Sequence, residues 1–390
     1  MTAIRILGAG LAFGLAALES RAQLAPVIFA QPMSLTIAAG STMVLNVDAT
    51  GTPPLRFQWR RDGGAIAGAT QSRFVLASPV AASAGRYDCV VSNAVGADTS
   101  RAATVEIVAE TGDGVGRLIN LSVLAPTGPG PRLLTLGAVI GPATRTGPMP
   151  VVVRAVGPTL GQPPFSLPGV LADPELVLFQ GERVQAANDD WGGDATLGGA
   201  FASVGAFALP PTSRDSAVWL ASPGAEPGNY TVQVAGKGGS SGLVIAELYD
   251  AAGAGRTATT ARLINLSTLH VVEGESALAA GFVLGGRTAR TVLIRAVGPS
   301  LAVAPFGLAG MLADPVLELF ARSGVRIGGN NDWGGEAALR AVMAAVGAFP
   351  LAAAESKDAV LLVTLPPGDY TAQVIGTGDG RALLEVYEVP

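Results

Sequence analysis

The chain has 390 residues, 49% of them apolar and only 14% charged, with 30 acids against 25 Lys and Arg and a formal charge of -5. No run of either sign occurs, so the basic stripe that nucleic acid requires is missing and nucleic-acid partners are not expected. The 52 glycines and 27 prolines are scattered through apolar sequence, which favours many short strands closed by turns over long helices.

Residues 1–22 read as an export signal: Arg5 supplies the positive region, Ile6 to Leu18 the apolar run, and Ser20-Arg21-Ala22 a small-x-small cleavage site after Ala22. The run is short for a membrane span, and no later one is long enough. The expectation is a secreted or cell-surface protein with no span once the signal is removed. Cys89 is the only cysteine, so no intrachain disulfide can form and stability must come from packing.

Over residues 24–108 the apolar pattern is that of strands: Val44, Leu45 and Val47 form one, and Leu55, Phe57 and Trp59 alternate along the next. Together with Pro53-Pro54 and Ala84-Gly-Arg-Tyr87-Asp-Cys89, they resemble an immunoglobulin domain of the intermediate set. The resemblance implies that Trp59 packs in the core, that Tyr87 forms the corner of strand F, and that Cys89 is the second cysteine of the usual pair. Val47 stands where the first cysteine belongs and Ser83 where an Asp is usual, so Cys89 is expected as a buried small hydrophobe facing Val47.

After a small, polar linker at 109–116, one unit occurs twice, over 117–250 and 262–390, joined by 251–261. Arg117-Leu-Ile-Asn-Leu-Ser122 returns as Arg262-Leu-Ile-Asn-Leu-Ser267, Arg154-Ala-Val-Gly-Pro as Arg295-Ala-Val-Gly-Pro, and Asn188-Asp-Asp-Trp-Gly-Gly193 as Asn330-Asn-Asp-Trp-Gly-Gly335. Most of each unit is period two, as in Tyr230, Val232 and Val234 or Tyr370, Ala372 and Val374. One stretch has helical spacing: Leu339, Val342, Met343 and Val346, matched by Leu197, Ala200, Phe201 and Val204. Asp194 and Glu336 stand at its start, where a carboxylate suits the positive end of a helix, and Gly198 and Gly199 weaken the first copy.

The Asp-Pro-x-Leu-x-Leu-Phe segment, the Asn-x-Asp-Trp turn and the Tyr-Thr-x-Gln-Val hairpin resemble bacterial pre-peptidase C-terminal β-sandwich domains. The arrangement as a whole is similar to exported bacterial immunoglobulin-domain proteins of undefined role. The expected fold is all-β: an immunoglobulin-like sandwich followed by two homologous, jelly-roll-like sandwiches, each with one short helix.

The acidic turns are the candidate metal centres, because calcium takes carboxylate and amide oxygens: Asn188 and Asp190 in one copy, Asn330 and Asp332 in the other. The alternative is that these residues cap a tight turn while Trp191 and Trp333 plug the end of the sandwich. Arg154 and Arg295, flanked by apolar residues, are expected to pair with a duplicated acid such as Asp173 or Asp314. The Ser213-Arg-Asp215 and Ser356-Lys-Asp358 triplets read as turn and edge chemistry. Gly238-Gly-Ser-Ser-Gly242 has the spacing of a nucleophile elbow, but it lies between two strands and the chain has one histidine, His270. No catalytic set emerges. The function expected is non-catalytic binding or adhesion, with an extracellular protein or polysaccharide as partner. A calcium-stabilised structural component and a carbohydrate-binding accessory protein are the alternatives. Only 5% of residues are aromatic, which argues against the last of these.

Overall fold

A computed structural model describes residues 23–110, 112–142, 145, 147–253, 256, 259–274 and 276–390, so the export-signal segment 1–22 lies outside the described residues. The N-terminal unit is an immunoglobulin-like domain built from β1 (Val27–Ala30), β2 (Leu35–Ala38), β3 (Met43–Asn46), β4 (Asp48–Thr50), β5 (Arg56–Arg61), β6 (Gly64–Ala65), β7 (Arg73–Leu76), β8 (Gly85–Ser92), β9 (Ala97–Thr99) and β10 (Ala103–Val108). One sheet runs β2-β10-β8-β5-β6, with β9 on β8, and the other face carries the pairs β3–β7 and β1–β4. Trp59, Val47 and Cys89 are fully buried in one core cluster, with Tyr87 beside them. The Trp59 indole donates to the Gln71 carbonyl at 3.0 Å, and Phe74 lies between the Trp59 and Tyr87 rings at centroid distances of 6.1 and 5.8 Å. The Tyr87 hydroxyl donates to the Ser83 carbonyl at 2.6 Å. Because the acceptor is backbone, the corner closes with Ser83 in place of the usual Asp.

The first repeat contains β11 (Arg117–Thr127), β12 (Leu134–Gly141), β13 (Met149–Val156), β14 (Pro174–Gln180), β15 (Arg183–Asn188), helix α1 (Ala195–Ser203), β16 (Ser216–Ala225), β17 (Gly228–Gly236) and β18 (Gly242–Asp250). The second contains β19 (Arg262–Val272), β20 (Leu278–Gly285), β21 (Arg290–Val297), the single turn α2 (Pro299–Ala302), β22 (Pro315–Ala321), β23 (Arg326–Asn330), α3 (Ala337–Ala345), β24 (Ala359–Leu365), β25 (Gly368–Gly376) and β26 (Gly380–Glu388). Each repeat pairs its strands antiparallel in the jelly-roll order: β11-β18-β13-β16 opposite β12-β17-β14-β15, and β19-β26-β21-β24 opposite β20-β25-β22-β23.

The two jelly rolls are not separate bodies. β11 pairs with β20 from Arg117–Gly285 to Val123–Ala280, and β12 pairs with β19 from Thr135–Leu269 to Gly141–Arg262. Each sheet of one repeat therefore continues into the opposite sheet of the other, and a single hydrophobic core runs through both. Edges that a lone jelly roll would leave open are closed by its own duplicate.

A third layer lies outside the sheets. α3 and Trp333 cover the outer face of β21, β24 and β26, and α1 and Trp191 do the same for β13, β16 and β18. This explains a contrast in the sequence: all eight residues of β21 and all seven of β24 are buried, so they are continuously apolar or sealed, whereas β12 and β17 have one solvated face and alternate.

The immunoglobulin domain docks on the second repeat. Val44 joins the outer cluster of that repeat. Its amide donates to Thr364 Oγ1 at 2.7 Å, the Asn46 side chain donates to the Leu362 carbonyl at 3.1 Å, and Thr291 Oγ1 donates to the Thr42 carbonyl at 2.5 Å. Arg73 reaches Glu336 at 2.5 Å. The first repeat has Pro150 and Ala221 where the second has Thr291 and Thr364, so it lacks the hydroxyl pair that receives the domain.

Candidate functional site

The duplicated polar residues meet in the third layer. Arg154 on β13 stands directly across the ladder from Glu247 on β18, and Arg295 from Glu385. Both guanidinium groups are fully buried. Arg154 Nε and Nη2 donate to Glu247 Oε2 at 2.8 and 2.5 Å, Nη1 donates to the Phe207 carbonyl at 2.6 Å, and the Tyr249 hydroxyl donates to Glu247 Oε1 at 2.7 Å. The second copy repeats this with Glu385, the Phe349 carbonyl and Tyr387. The Phe207 and Phe349 rings lie 4.4 and 4.2 Å from the guanidinium carbons. Burial, reinforced by the neighbouring carboxylate, drives the Tyr249 and Tyr387 hydroxyls far above the ordinary phenol range. The expected partners Asp173 and Asp314 are a correction: Asp173 pairs at the surface with Arg214 at 2.8 Å, because the ladder register hands each arginine a glutamate first. The signal was in the sequence as the duplicated Glu247-Leu-Tyr249 and Glu385-Val-Tyr387.

The Ser-x-Asp triplets do introduce the edge strands β16 and β24 and serve a turn, but their aspartates act from the interior. Asp215 and Asp358 are fully buried. Asp215 accepts from the Gly157 amide at 2.9 Å, the Thr159 amide at 3.3 Å and Ser213 Oγ at 2.7 Å, and also from Thr159 Oγ1. Asp358 does the same for Gly298, Ser300 and Ser356. Each aspartate therefore fastens the turn after β13 or β21. The glycine of that turn is required by a close approach, since a Cβ on Gly157 or Gly298 would lie 2.1 Å from the carbonyl oxygen of Leu171 or Leu312.

The acidic turns hold the edge strands together. Asn188 Oδ1 accepts from the Ala217 amide at 2.9 Å while Nδ2 donates to the Asp190 carbonyl at 2.8 Å; Asn330 makes the matching bonds to Val360 and Asp332 at 2.8 and 3.0 Å. Asp189 pairs with Lys237 at 2.7 Å, which holds its carboxyl below the usual range, and Asp332 pairs with Lys357 at 2.9 Å. Among the described residues, no group of three or more His, Cys, Asp or Glu is placed to hold a metal ion. Trp191 and Trp333 lie beneath the helices on the outer sheet face, not across the end of the sandwich, and their indoles donate to the Pro210 and Ala353 carbonyls at 3.0 Å.

Gly238 to Gly242 joins β17 to β18, and His270 is buried with Nε2 2.6 Å from the Pro126 carbonyl. Strand, elbow and helix do not occur in that order. Cys89 lies sealed in the immunoglobulin core, and burial pushes its thiol up to about 11.

The N-terminal unit matches a known family. Residues 25–93 match the family described as Immunoglobulin domain. Brother of CDO from Homo sapiens is 29% identical over 84 residues, which cover 20% of this chain and only 8% of that protein. Among solved structures, titin domain M7 is 26% identical and covers 23% of this chain and 99% of its own, with a TM-score of 0.21. The N-terminal Ig1-2 module of the Drosophila receptor protein tyrosine phosphatase DLAR is 20% identical over 23% of this chain and 49% of its own, with a TM-score of 0.21.

Proposed function

We propose that the chain is an exported, non-catalytic binding or adhesion protein acting on an extracellular protein or polysaccharide. One observation carries the reading: the duplicated Arg154, Arg295, Asp215 and Asp358 are fully buried, and their polar atoms are taken by Glu247, Glu385 and the backbone of neighbouring turns. A reacting group has to face a substrate, and these face the fold. The immunoglobulin domain supports the same reading, since such domains are typically binding or adhesion modules. The export-type segment 1–22 and the resemblance to exported bacterial immunoglobulin-domain proteins support the location. The amide oxygens of Asn188 and Asn330 each already accept a backbone N–H, which weighs against calcium at the acidic turns.

The test is retention of extracellular proteins and polysaccharides by the immobilised intact chain, with hydrolysis of the same polysaccharides followed in parallel. Specific retention without turnover is the expected result. Turnover lost on Asp190→Ala or Asp332→Ala would replace the proposal with an enzyme, and a melting shift with calcium lost in the same variants would restore the metal site.

A further inference from the structure

We infer that the cleft between the immunoglobulin domain and the second repeat binds a neutral sugar unit of an extracellular glycan. The inference rests on the binding role proposed above and gives it a place and a ligand class. The cleft has a volume of about 440 Å³, within the usual range for small-ligand sites, and both domains line it. Phe29, Asp48 and Phe57 come from one side, and Val316, Arg326 and Asn331 from the other.

A pyranose offers apolar C–H faces and a rim of hydroxyls, so it needs flat apolar surface next to mixed donors and acceptors. Phe29 is 57% exposed, and Phe57 is half-buried, packed on the immunoglobulin core while still lining the cleft, whereas Trp59 and Tyr87 are wholly inside. Asp48 is half-buried, and burial pushes its carboxyl up more than Arg326 and Arg73 pull it down. Its desolvation is therefore incompletely repaid, and donated hydroxyls would repay it. The exposed Asn331 amide supplies both a donor and an acceptor. Arg73 is paired with Glu336 and Arg326 with Glu318, so an anion finds its cations taken. Both guanidinium groups act on Asp48, which disfavours a further cation. A neutral ligand remains.

The repeats diverge where the second one faces this cleft. Arg326, Gly329 and Asn331 stand where the first repeat has Val184, Ala187 and Asp189. A Cβ on Gly329 would come within 2.3 Å of Arg326 Nη2, so the glycine is what lets that guanidinium lie across the strand.

The test is an array of neutral gluco-, manno-, galacto- and N-acetylglucosamine oligomers probed with the intact chain. Calorimetric titration of the best-bound oligomer against Phe29→Ala, Phe57→Ala and Asp48→Asn follows, with Val80→Ala, exposed and outside the cleft lining, as a control and thermal melts to verify folding. Binding that weakens about tenfold in each cleft variant and not in the control is expected. Unchanged affinity in folded cleft variants would overturn the site. No binding to any neutral oligomer would overturn the ligand class, and retention of a protein partner in that case would leave the broader binding role standing.

Discussion

At the scale of single residues, the most consequential side chains are Arg154 and Arg295 with their glutamates. Breaking one buried pair leaves an unpaired charge under α1, so Glu247→Gln is expected to cost about 3–5 kcal/mol. Replacing both partners, Arg154→Met with Glu247→Leu, is expected to cost less than either single change, and denaturant unfolding of the cycle measures it. Cys89 gives a prediction in pH. Its folded thiol is raised to about 11 from an ordinary 9.0, so the native state keeps a proton that the unfolded state loses. Its share of stability is intact below about pH 9 and is lost on going up to about pH 11, by up to about 2 kcal/mol. Denaturation midpoints at pH 8 and pH 10.5 should diverge more in the parent than in Cys89→Ala, and native protein should resist thiol reagents near pH 8. Trp59, Tyr87 and Cys89 were legible because each fills a recognised place in one short domain. The partner of Arg154 was not, because a glutamate 93 positions away becomes its neighbour only through ladder register.

At the scale of elements, periodicity found α1 and α3 but not the single turn α2, and turn chemistry found the hairpins. The two helix starts differ, however. Asp194 caps α1 by accepting from the Leu197 amide at 2.8 Å, whereas Glu336 makes no cap and reaches Arg73 of the immunoglobulin domain. A sequence reading gives both carboxylates the same role, since only the packed domain shows that one is diverted. Two glycines test the account. A Cβ on Gly199 in α1 meets nothing within 4 Å, so Gly199→Ala is expected to stabilise by about 0.5–1 kcal/mol. Gly157→Ala drives its Cβ into the Leu171 carbonyl and is expected to destabilise by about 1–3 kcal/mol or more. Thermal melts of the two variants should move in opposite directions.

At the scale of the whole molecule, the repeat was plain in the sequence but its assembly was not. Strand patterns report which residues are buried and are silent on which neighbour buries them, so β11 pairing with β20 leaves no mark in the order of residues. Because one core spans both repeats, calorimetry should show them unfolding together in one transition. A chain holding residues 117–250 alone would present β11 and β12 as bare edges, and light scattering should find it self-associated. Edge pairing of this kind also imposes a symmetry. The two sheet junctions, β11 with β20 and β12 with β19, are related as the two halves of an isologous contact. The two repeats therefore sit as the subunits of a two-fold dimer sit, with both partners supplied by one chain. The pseudo-symmetry is broken at one place, where the half that carries Thr291 and Thr364 seats the immunoglobulin domain.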